Sequence, residues 1–207
     1  MPQSADTEAI ERDLPHVQRR LDHTRHMRSE PRPIALTGCD DLEREELRRA
    51  FTRQLLSPSL TLRTAGRTLH AALADWLFID LLDGGRWRRE VLLGRCGPPG
   101  ELTEALWAPG ELAREVHATG RPQVSARIED PYALGREERG ASWAGLFAGG
   151  SLICVPISAG GRSYGTLTAV RLGGSSPPFT RSDAALVAEL CDLLALRIEL
   201  DVAIANG

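Results

Sequence analysis

Two neighbouring segments carry apolar residues at close to helical spacing. The first begins at Leu42, with Asp40 or Asp41 as its N-cap, and Ser57-Pro58 ends it. Acidic residues fill its first turn and arginines follow, which is the arrangement that the helix dipole favours. The second runs from about residue 60 to residue 74 and has one apolar face, made of Leu62, Ala65, Leu69, Ala72 and Leu73. The pattern predicts two amphipathic helices in succession.

After residue 74 the spacing of apolar residues changes from that of helices to that of β-strands. Residues 76–82 and 86–93 are two β-rich runs that flank Asp83-Gly84-Gly85, and an Asp-Gly turn between such runs is a strong hairpin signal. Residues 151–157 and 163–172 flank Gly160-Gly161 and predict a second hairpin. Pro156 has no N–H for a strand ladder, so we expect an edge or a bulge there.

The region between the hairpins has weaker patterns. A short helix is predicted over 111–119, where Pro109 stands ahead and Gly120 fits the C-cap. Residues 121–125 predict a short strand, and Asp130-Pro131 starts a turn. Glycines interrupt residues 134–147, and each lowers helix stability by about 1 kcal/mol relative to Ala. We predict only a short helix in that segment.

The last helix has the most regular pattern. Thr180 and Asp183 have the spacing of a capping box, and Phe179 is placed for a hydrophobic staple. The helix is predicted to reach about residue 203, and its apolar positions follow the spacing of a coiled-coil seam with Arg197 as a charged interruption. Together with the first helix, this seam predicts a dimer interface made of Leu47, Phe51, Leu55, Leu186, Leu190, Leu193 and Leu200.

The order of these elements predicts the fold class. It is α+β, with a single antiparallel sheet of about five to six strands, the N- and C-terminal helices on one face, and short helices and loops that form a pocket on the other. Residues 42–207 form this domain together with its flanking dimerisation helices. Residues 1–41 are polar and punctuated by prolines, and we expect a partly disordered arm with one short helix around 17–28.

Composition and charge limit the kinds of partner that the chain is expected to bind. The chain has 25 basic residues, all of them arginine, and a formal net charge of −3, so no nucleic-acid partner is predicted. The one local candidate for an anion site is the run Arg86-Trp87-Arg88-Arg89. The first residues have no basic start with an apolar segment behind it, so we expect no secretory signal, and no apolar run approaches the roughly 20 residues that cross a bilayer. We therefore expect a cytoplasmic protein without a membrane partner.

Cysteine and histidine spacing predicts no metal site. Cys39, Cys96, Cys154 and Cys191 are far apart and have no histidine at ligand spacing, which argues against zinc sites and a disulfide framework. Buried reduced thiols are the favoured interpretation. His16, His23 and His26 have no carboxylate or thiol arranged with them.

Three stretches in the right order carry a resemblance to a known family. The first stretch begins at residues 59–62 and leads through a helix to the strand that starts at Asp75-Trp76. The second is Ala-Thr-Gly-Arg-Pro at residues 118–122. The third is a closing hairpin followed by a helix start, at residues 151–157, 165–168 and 179–183. Over roughly residues 45–203 the chain resembles a GAF domain. Its strand start is similar to that of GAF domains preceding bacterial serine/threonine phosphatases or histidine kinases. No effector domain follows residue 203, so we expect a stand-alone sensor or a part of a longer one.

The resemblance implies a GAF/PAS-like pocket between the sheet and the short middle elements, for a cyclic nucleotide, tetrapyrrole, amino acid or other small ligand. The bilin-binding branch has a cysteine beside a histidine in the middle segment, and residues 100–150 contain no cysteine. The haem branch needs an axial histidine, for which His70 and His117 are the candidates inside the domain, although ordinary surface or boundary positions explain them better. Free methionine sulfoxide reductases have clustered cysteines, whereas Cys96 and Cys154 are widely separated. We predict no catalytic residue and no cofactor.

The expected function is therefore a small-molecule sensor that forms a homodimer and signals to a phosphatase, kinase or transcriptional effector. Two alternatives stay open: a degenerate fold that only dimerises or docks a partner, its cavity plugged by Trp143 and Phe147, and a redox enzyme of the sulfoxide reductase type. A structural hydrogen bond to neighbouring backbone is an alternative role for Asp80. The predicted ligand contacts are Phe78, Asp80, Arg127, Asp130, Trp143, Phe147, Thr166 and Thr168.

Overall fold

The computed structural model describes residues 41–94, 109–135, 144–174 and 176–206. The predicted N-terminal arm, Cys39, Cys96 and Trp143 lie outside these residues. In chain order the elements are α1 (Asp41–Leu55), α2 (Leu62–Leu73), β1 (Trp76–Asp83), β2 (Arg86–Gly94), α3 (Glu111–Thr119), β3 (Gln123–Ser125), a 3₁₀ turn (Pro131–Leu134), α4 (Ala144–Phe147), β4 (Ser151–Ala159), β5 (Arg162–Arg171) and α5 (Arg181–Asn206).

The strands form one antiparallel sheet in the order β2-β1-β5-β4-β3, which confirms the predicted fold class with five strands in the described residues. Both predicted hairpins are present. Each turns on two consecutive glycines with positive φ, 53° and 80° at Gly84 and Gly85 and 57° and 78° at Gly160 and Gly161. These angles are strained for residues with a Cβ, so the glycines determine both turns.

The two faces of the sheet are covered differently. The first face packs against α1, α2 and α5, and its core includes Leu77, Ile79, Ile153 and Leu167. The second face packs against α3, the 3₁₀ turn and α4, and its strand residues include Trp76, Phe78, Leu92, Leu152, Cys154 and Val170. Because successive side chains of a strand point to opposite faces, the two layers are built from alternate residues of the same strands.

A β-bulge changes which face of the sheet the side chains of β2 point to. Asp80 pairs with Arg89 and Ile79 pairs with Val91, so Glu90 is an extra residue on β2. Val91 belongs to the core of the first face, whereas Arg89 joins Asp80 on the second. Without the bulge, strict alternation would place Arg89 and Val91 on the same face.

The first and last helices pack side by side and run parallel. Arg44 in α1 lies 3.3 Å from Asp183 at the start of α5, and Arg197 farther along α5 donates to the carbonyl oxygen of Leu55 at 2.7 Å. The predicted capping box of α5 is present, since Thr180 N donates to Asp183 Oδ2 at 2.8 Å and Asp183 N donates to Thr180 Oγ1 at 3.2 Å. No helix in the described residues is both long enough and apolar enough to cross a membrane.

The predicted dimer interface needs a correction. Five of its residues are buried in the core of a single chain, where α1 and α5 meet the sheet, because their seam is used within the protomer: Leu47, Phe51, Leu55, Leu186 and Leu190. Leu193 is partly buried against the same core, and Leu200 is 53% exposed. The large apolar residues that the structure describes as exposed on α5 are Leu196, Leu200, Val202 and Ile204.

Candidate functional site

A row of polar residues crosses the second face of the sheet. Arg89 on β2 is the cross-strand partner of Asp80 on β1, and Asp80 is the partner of Thr166 on β5. Asp80 and Thr166 are 0% exposed and Arg89 is 4% exposed. We call these three residues the polar row. It lies next to a second cross-strand row that contains Phe78, Thr168 and Cys154.

Asp80 and Arg89 form an ion pair with two-point contact. Arg89 Nε donates to Asp80 Oδ1 at 2.6 Å, and Nη2 donates to Oδ2 at 2.9 Å. Nη2 also donates to the carbonyl oxygen of Leu134 at 2.9 Å, and the guanidinium lies 4.4 Å from the centroid of the Phe78 ring. Arg89 therefore connects two strands to the 3₁₀ turn that covers them. A planar guanidinium suits this combination of bidentate bonding and ring stacking.

Two threonines and a thiol continue the polar surface. Thr168 Oγ1 donates to Cys154 Sγ at 3.2 Å. Burial raises the pKa of the Cys154 thiol to about 12, the hydrogen bond from Thr168 opposes that rise, and the charge of Asp80 adds to it. The Thr166 side chain also lowers this pKa, and its Oγ1 has no partner that meets hydrogen-bonding geometry. The Thr166 hydroxyl is therefore a buried polar group with capacity for a well-formed hydrogen bond.

Aromatic rings pack beside the polar surface. The ring of Phe147 meets Trp76 edge to face at 5.4 Å and Phe78 at 6.2 Å, measured between centroids. Phe147 is 0% exposed, so α4 directs its aromatic side chain inward against the sheet. Leu134 is buried in the same cluster. The site is thus a small polar area within an apolar, aromatic layer.

The structure brings together most of the predicted ligand contacts. Phe78, Asp80, Phe147, Thr166 and Thr168 lie on or against the second face. Arg127 and Asp130 are exposed, and the structure does not place them in this layer. Asp130 Oδ1 accepts a hydrogen bond from Tyr132 N at 2.9 Å, so its carboxylate caps the 3₁₀ turn. Trp143 lies outside the described residues.

Arg89 is the central residue that the sequence analysis did not assign to the site. The Arg86–Arg89 run is not a shared anion cluster, since the Arg88 side chain is 69% exposed and lies 3.1 Å from Glu90, whereas Arg89 is buried with Asp80. The sequence does contain a signal for the pairing of Arg89 with Asp80. Counting outward from the two-residue Gly84-Gly85 turn pairs position 80 with position 89, and a carboxylate in an apolar strand needs such a partner.

The two histidines considered as axial ligands have other neighbours. His70 Nε2 lies 3.1 Å from the carbonyl oxygen of Asp75, and the His117 ring meets Trp87 edge to face at 5.0 Å. Among the residues that the structure describes, no three His, Cys, Asp or Glu side chains are grouped so that they could hold a metal ion.

A groove of about 600 Å³ opens at the hairpin-turn end of the sheet. It is lined by the last residues of α3, by residues 158–163, and by Asp192 and Leu196 of α5. None of the predicted ligand contacts lines it, so it is separate from the polar row.

Comparisons with known proteins agree on the fold. The family model described as GAF domain matches residues 59–199. No curated protein sequence is significantly similar. The GAF domain of a phosphoenolpyruvate-protein phosphotransferase from Coxiella burnetii is 19% identical, with a TM-score of 0.60 over 80% of this chain and 98% of that one. The nlh2 GAF domain of A. aeolicus in an inactive state is 17% identical, with a TM-score of 0.57 over 78% of this chain and 98% of that one.

A third similar structure is an enzyme. Free methionine-R-sulfoxide reductase from Neisseria meningitidis, in complex with its substrate, is 22% identical, with a TM-score of 0.55 over 77% of this chain and 89% of that chain. Identities this low show a shared fold alone.

Proposed function

The chain belongs to the GAF domain family, and from that premise we propose that it is a non-catalytic cytoplasmic sensor that binds a small molecule on the second face of its sheet. The polar row is the observation that carries the proposal. Burying an ion pair and a hydroxyl without a partner in an apolar layer opposes folding, so a role in binding is a reason for the chain to keep them. That a protein of the same fold is described with its substrate bound supports small-molecule binding by this architecture.

Ligand binding would require movement of the elements above the polar row. The 3₁₀ turn has four residues and α4 has four, and short elements are the least stable parts of a fold. Arg89 connects the turn to the sheet through the carbonyl oxygen of Leu134. A ligand that bonds to the polar row would therefore alter the position of the turn.

Signalling would pass through the sheet to the terminal helices. Strands β1 and β5 carry Asp80 and Thr166 on one face and contribute Ile79 and Leu167 to the helix-bound core on the other. A shift of these strands changes the packing of α1 and α5. In this proposal the exposed apolar residues of α5 contact a second copy of the chain, and a phosphatase, kinase or transcriptional effector receives the signal.

The direct test is identification of a co-purifying ligand. Native mass spectrometry of the purified chain is expected to show a small-molecule adduct, and calorimetric titration with a panel of metabolites and cyclic nucleotides is expected to give saturable binding. Thr166→Val keeps the side-chain shape and is expected to weaken that binding, whereas Arg88→Gln, on the exposed part of β2, is the matched control. An absence of any adduct and any saturable binding would contradict the sensor proposal.

A second candidate function is a protein-interaction module without a ligand. The inward position of Phe147, with its ring against Trp76 and Phe78, favours it because the side chain occupies space over the sheet. If wild-type protein binds nothing in the panel while Phe147→Ala binds small aromatic compounds, the residue is a plug and this second function is preferred.

The redox-enzyme alternative has less support from the described thiols. A nucleophilic cysteine needs a populated thiolate, and the pKa of Cys154 is raised to about 12. Cys191 is buried in the core of the other face, and burial also raises its pKa. Peptide mass spectrometry after peroxide treatment tests this function, because a Cys96–Cys154 disulfide would support it.

A further inference from the structure

We infer that the polar row selects an uncharged, hydrogen-bonding ligand and rejects anions such as nucleotide phosphates. This inference rests on the proposed function, since it names the chemical class that the same site accepts. Three observations carry it: the two-point pairing of Asp80 with Arg89, the Thr166 hydroxyl without a partner in hydrogen-bonding geometry, and the apolar cluster of described residues on the same face.

The charge of the row is balanced within the row. Each Asp80 oxygen accepts a bond from Arg89, at 2.6 and 2.9 Å, so the carboxylate and the guanidinium compensate each other at close range. The other charged residues that the structure describes as buried are Asp75, Arg171 and Asp183. Asp75 accepts a hydrogen bond from Leu172 N, and Arg171 donates to the carbonyl oxygen of Leu73. These groups therefore lie at the end of the sheet opposite to the polar row.

Outside the Asp80–Arg89 pair, the buried charged residues that the structure describes lie away from this position and offer no counter-charge to a charged ligand. Transfer of an ion from water to an apolar protein layer is strongly unfavourable unless an opposite charge compensates it. An anion that approached Arg89 would also approach Asp80, which lies within 3 Å of the same guanidinium. A neutral ligand avoids both penalties, and it leaves the bidentate pair intact.

The hydroxyl of Thr166 is suited to a neutral polar group. A hydroxyl both donates and accepts, so one hydrogen bond from or to a carboxamide, lactam or alcohol satisfies it. Thr166 Oγ1 is buried, has no partner in hydrogen-bonding geometry, and belongs to the residue directly opposite Asp80. The apolar body of such a ligand would face Phe78 and Phe147. We therefore expect a compact aromatic or aliphatic molecule with a carboxamide, lactam or hydroxyl group.

Matched pairs of neutral and anionic compounds test the inference. Nicotinamide and nicotinate, benzamide and benzoate, and indole-3-acetamide and indole-3-acetate differ in the charge of one group. Dissociation constants for wild-type protein are measured by ligand-observed NMR and calorimetry. We expect binding of at least one amide, at least about tenfold tighter than its acid, which corresponds to about 1.4 kcal/mol. Thr166→Val is expected to weaken amide binding by roughly 3- to 10-fold, as for loss of one hydrogen bond.

Two variants alter the charge of the row. Asp80→Asn removes the carboxylate that forms the two-point pair with Arg89 and is expected to reverse the preference, so that the carboxylate of each pair binds better than the amide. The double variant Asp80→Asn/Arg89→Gln has no net charge in the row and is expected to keep the preference for amides. If Asp80→Asn does not fold, the wild-type, Thr166→Val and double-variant measurements decide the question.

The outcomes separate this inference from the sensor proposal. Equal or tighter binding of the carboxylates to wild-type protein overturns the inference, as does an amide affinity that is unchanged in Thr166→Val. Binding of cyclic GMP that depends on Thr166 supports a sensor and overturns neutral selectivity. If none of the amides binds, the inference fails, whereas the sensor proposal depends on the wider metabolite panel and on the adduct found by mass spectrometry.

Discussion

Asp80 and Arg89 lie directly opposite each other on adjacent strands and form a two-point ion pair with both side chains at most 1% exposed. The pair is three positions along the ladder from the Asp83–Arg86 pair next to the turn, and it lies immediately before the bulge. Arg89 also binds the backbone of the 3₁₀ turn. This one relationship connects the hairpin, the bulge and the covering elements of the second face.

Breaking the pair on one side is expected to destabilise the fold. Arg89→Gln leaves the Asp80 carboxylate buried without its cation, and the expected loss of unfolding free energy is about 3–5 kcal/mol. The double variant Asp80→Asn/Arg89→Gln is expected to lose less than the single one, because no buried charge remains. Urea unfolding followed by circular dichroism measures both. Arg88→Gln is the control, with an expected change below about 0.5 kcal/mol, and a double variant that loses as much as Arg89→Gln, or more, would contradict the prediction.

The sequence predicts the architecture well because its turns and periods are local signals. Gly84-Gly85 and Gly160-Gly161 determine both hairpins, and the register that follows already pairs position 80 with position 89. The bulge at Glu90 is harder to predict from the sequence, because one extra residue in a strand has no distinctive composition. The structure shows its effect in the change of face between Arg89 and Val91.

Tertiary contacts account for the predictions that needed correction. An apolar seam on a helix indicates burial but does not distinguish burial within a chain from burial between chains. Leu186 and Leu190 of α5 pack in the protomer core, so the predicted seam is buried within one chain and not between two. For Asp130 the role as a ligand contact stays a prediction; its position before Pro131 also suits a cap, and the structure shows that capping hydrogen bond.

The Cys154 thiol is expected to make stability fall at alkaline pH. Its pKa is raised in the folded chain from 9.0 to about 12, so above pH 9 the unfolded chain releases this proton while the folded chain keeps it. The stabilising contribution is complete below pH 9 and is lost between pH 9 and about 12, at about 1.4 kcal/mol per pH unit. The chain has no lysine, which leaves few other groups to titrate in this range.

Urea unfolding of wild-type and Cys154→Ala protein between pH 8.5 and 10.5 measures this effect. The variant is expected to have a shallower decline, because one of the two described buried thiols has been removed. Iodoacetamide labelling with peptide mass spectrometry gives an independent measurement, and Cys154 is expected to stay unmodified in folded protein at pH 8. Equal slopes, or rapid native labelling of Cys154, would show that the thiol is not held protonated.

Phe147 is expected to contribute strongly to the packing of the second face. Phe147→Ala removes a fully buried ring that contacts Trp76 and Phe78, and the expected cost is about 3–5 kcal/mol. Phe147→Leu retains most of the apolar volume and is expected to cost less. Thermal and urea unfolding measure both variants. A cost below about 1 kcal/mol for the alanine variant would mean that the covering elements adjust freely and that the ring is not a structural plug.

Self-association is expected to depend on the exposed residues of α5 and not on its buried seam. Leu196 and Leu200 are 54% and 53% exposed and one helical turn apart, so a charge at both positions disrupts a contact with a second copy without entering the core. Light scattering after size exclusion is expected to show a dimer for wild-type protein and a monomer with unchanged unfolding for Leu196→Asp/Leu200→Asp. Leu190→Ala is the contrasting control, because Leu190 is 0% exposed and its truncation is expected to cost about 2–5 kcal/mol in stability. A monomeric wild type, or a dimer that survives both aspartates, would remove this face of α5 from the proposed signalling route.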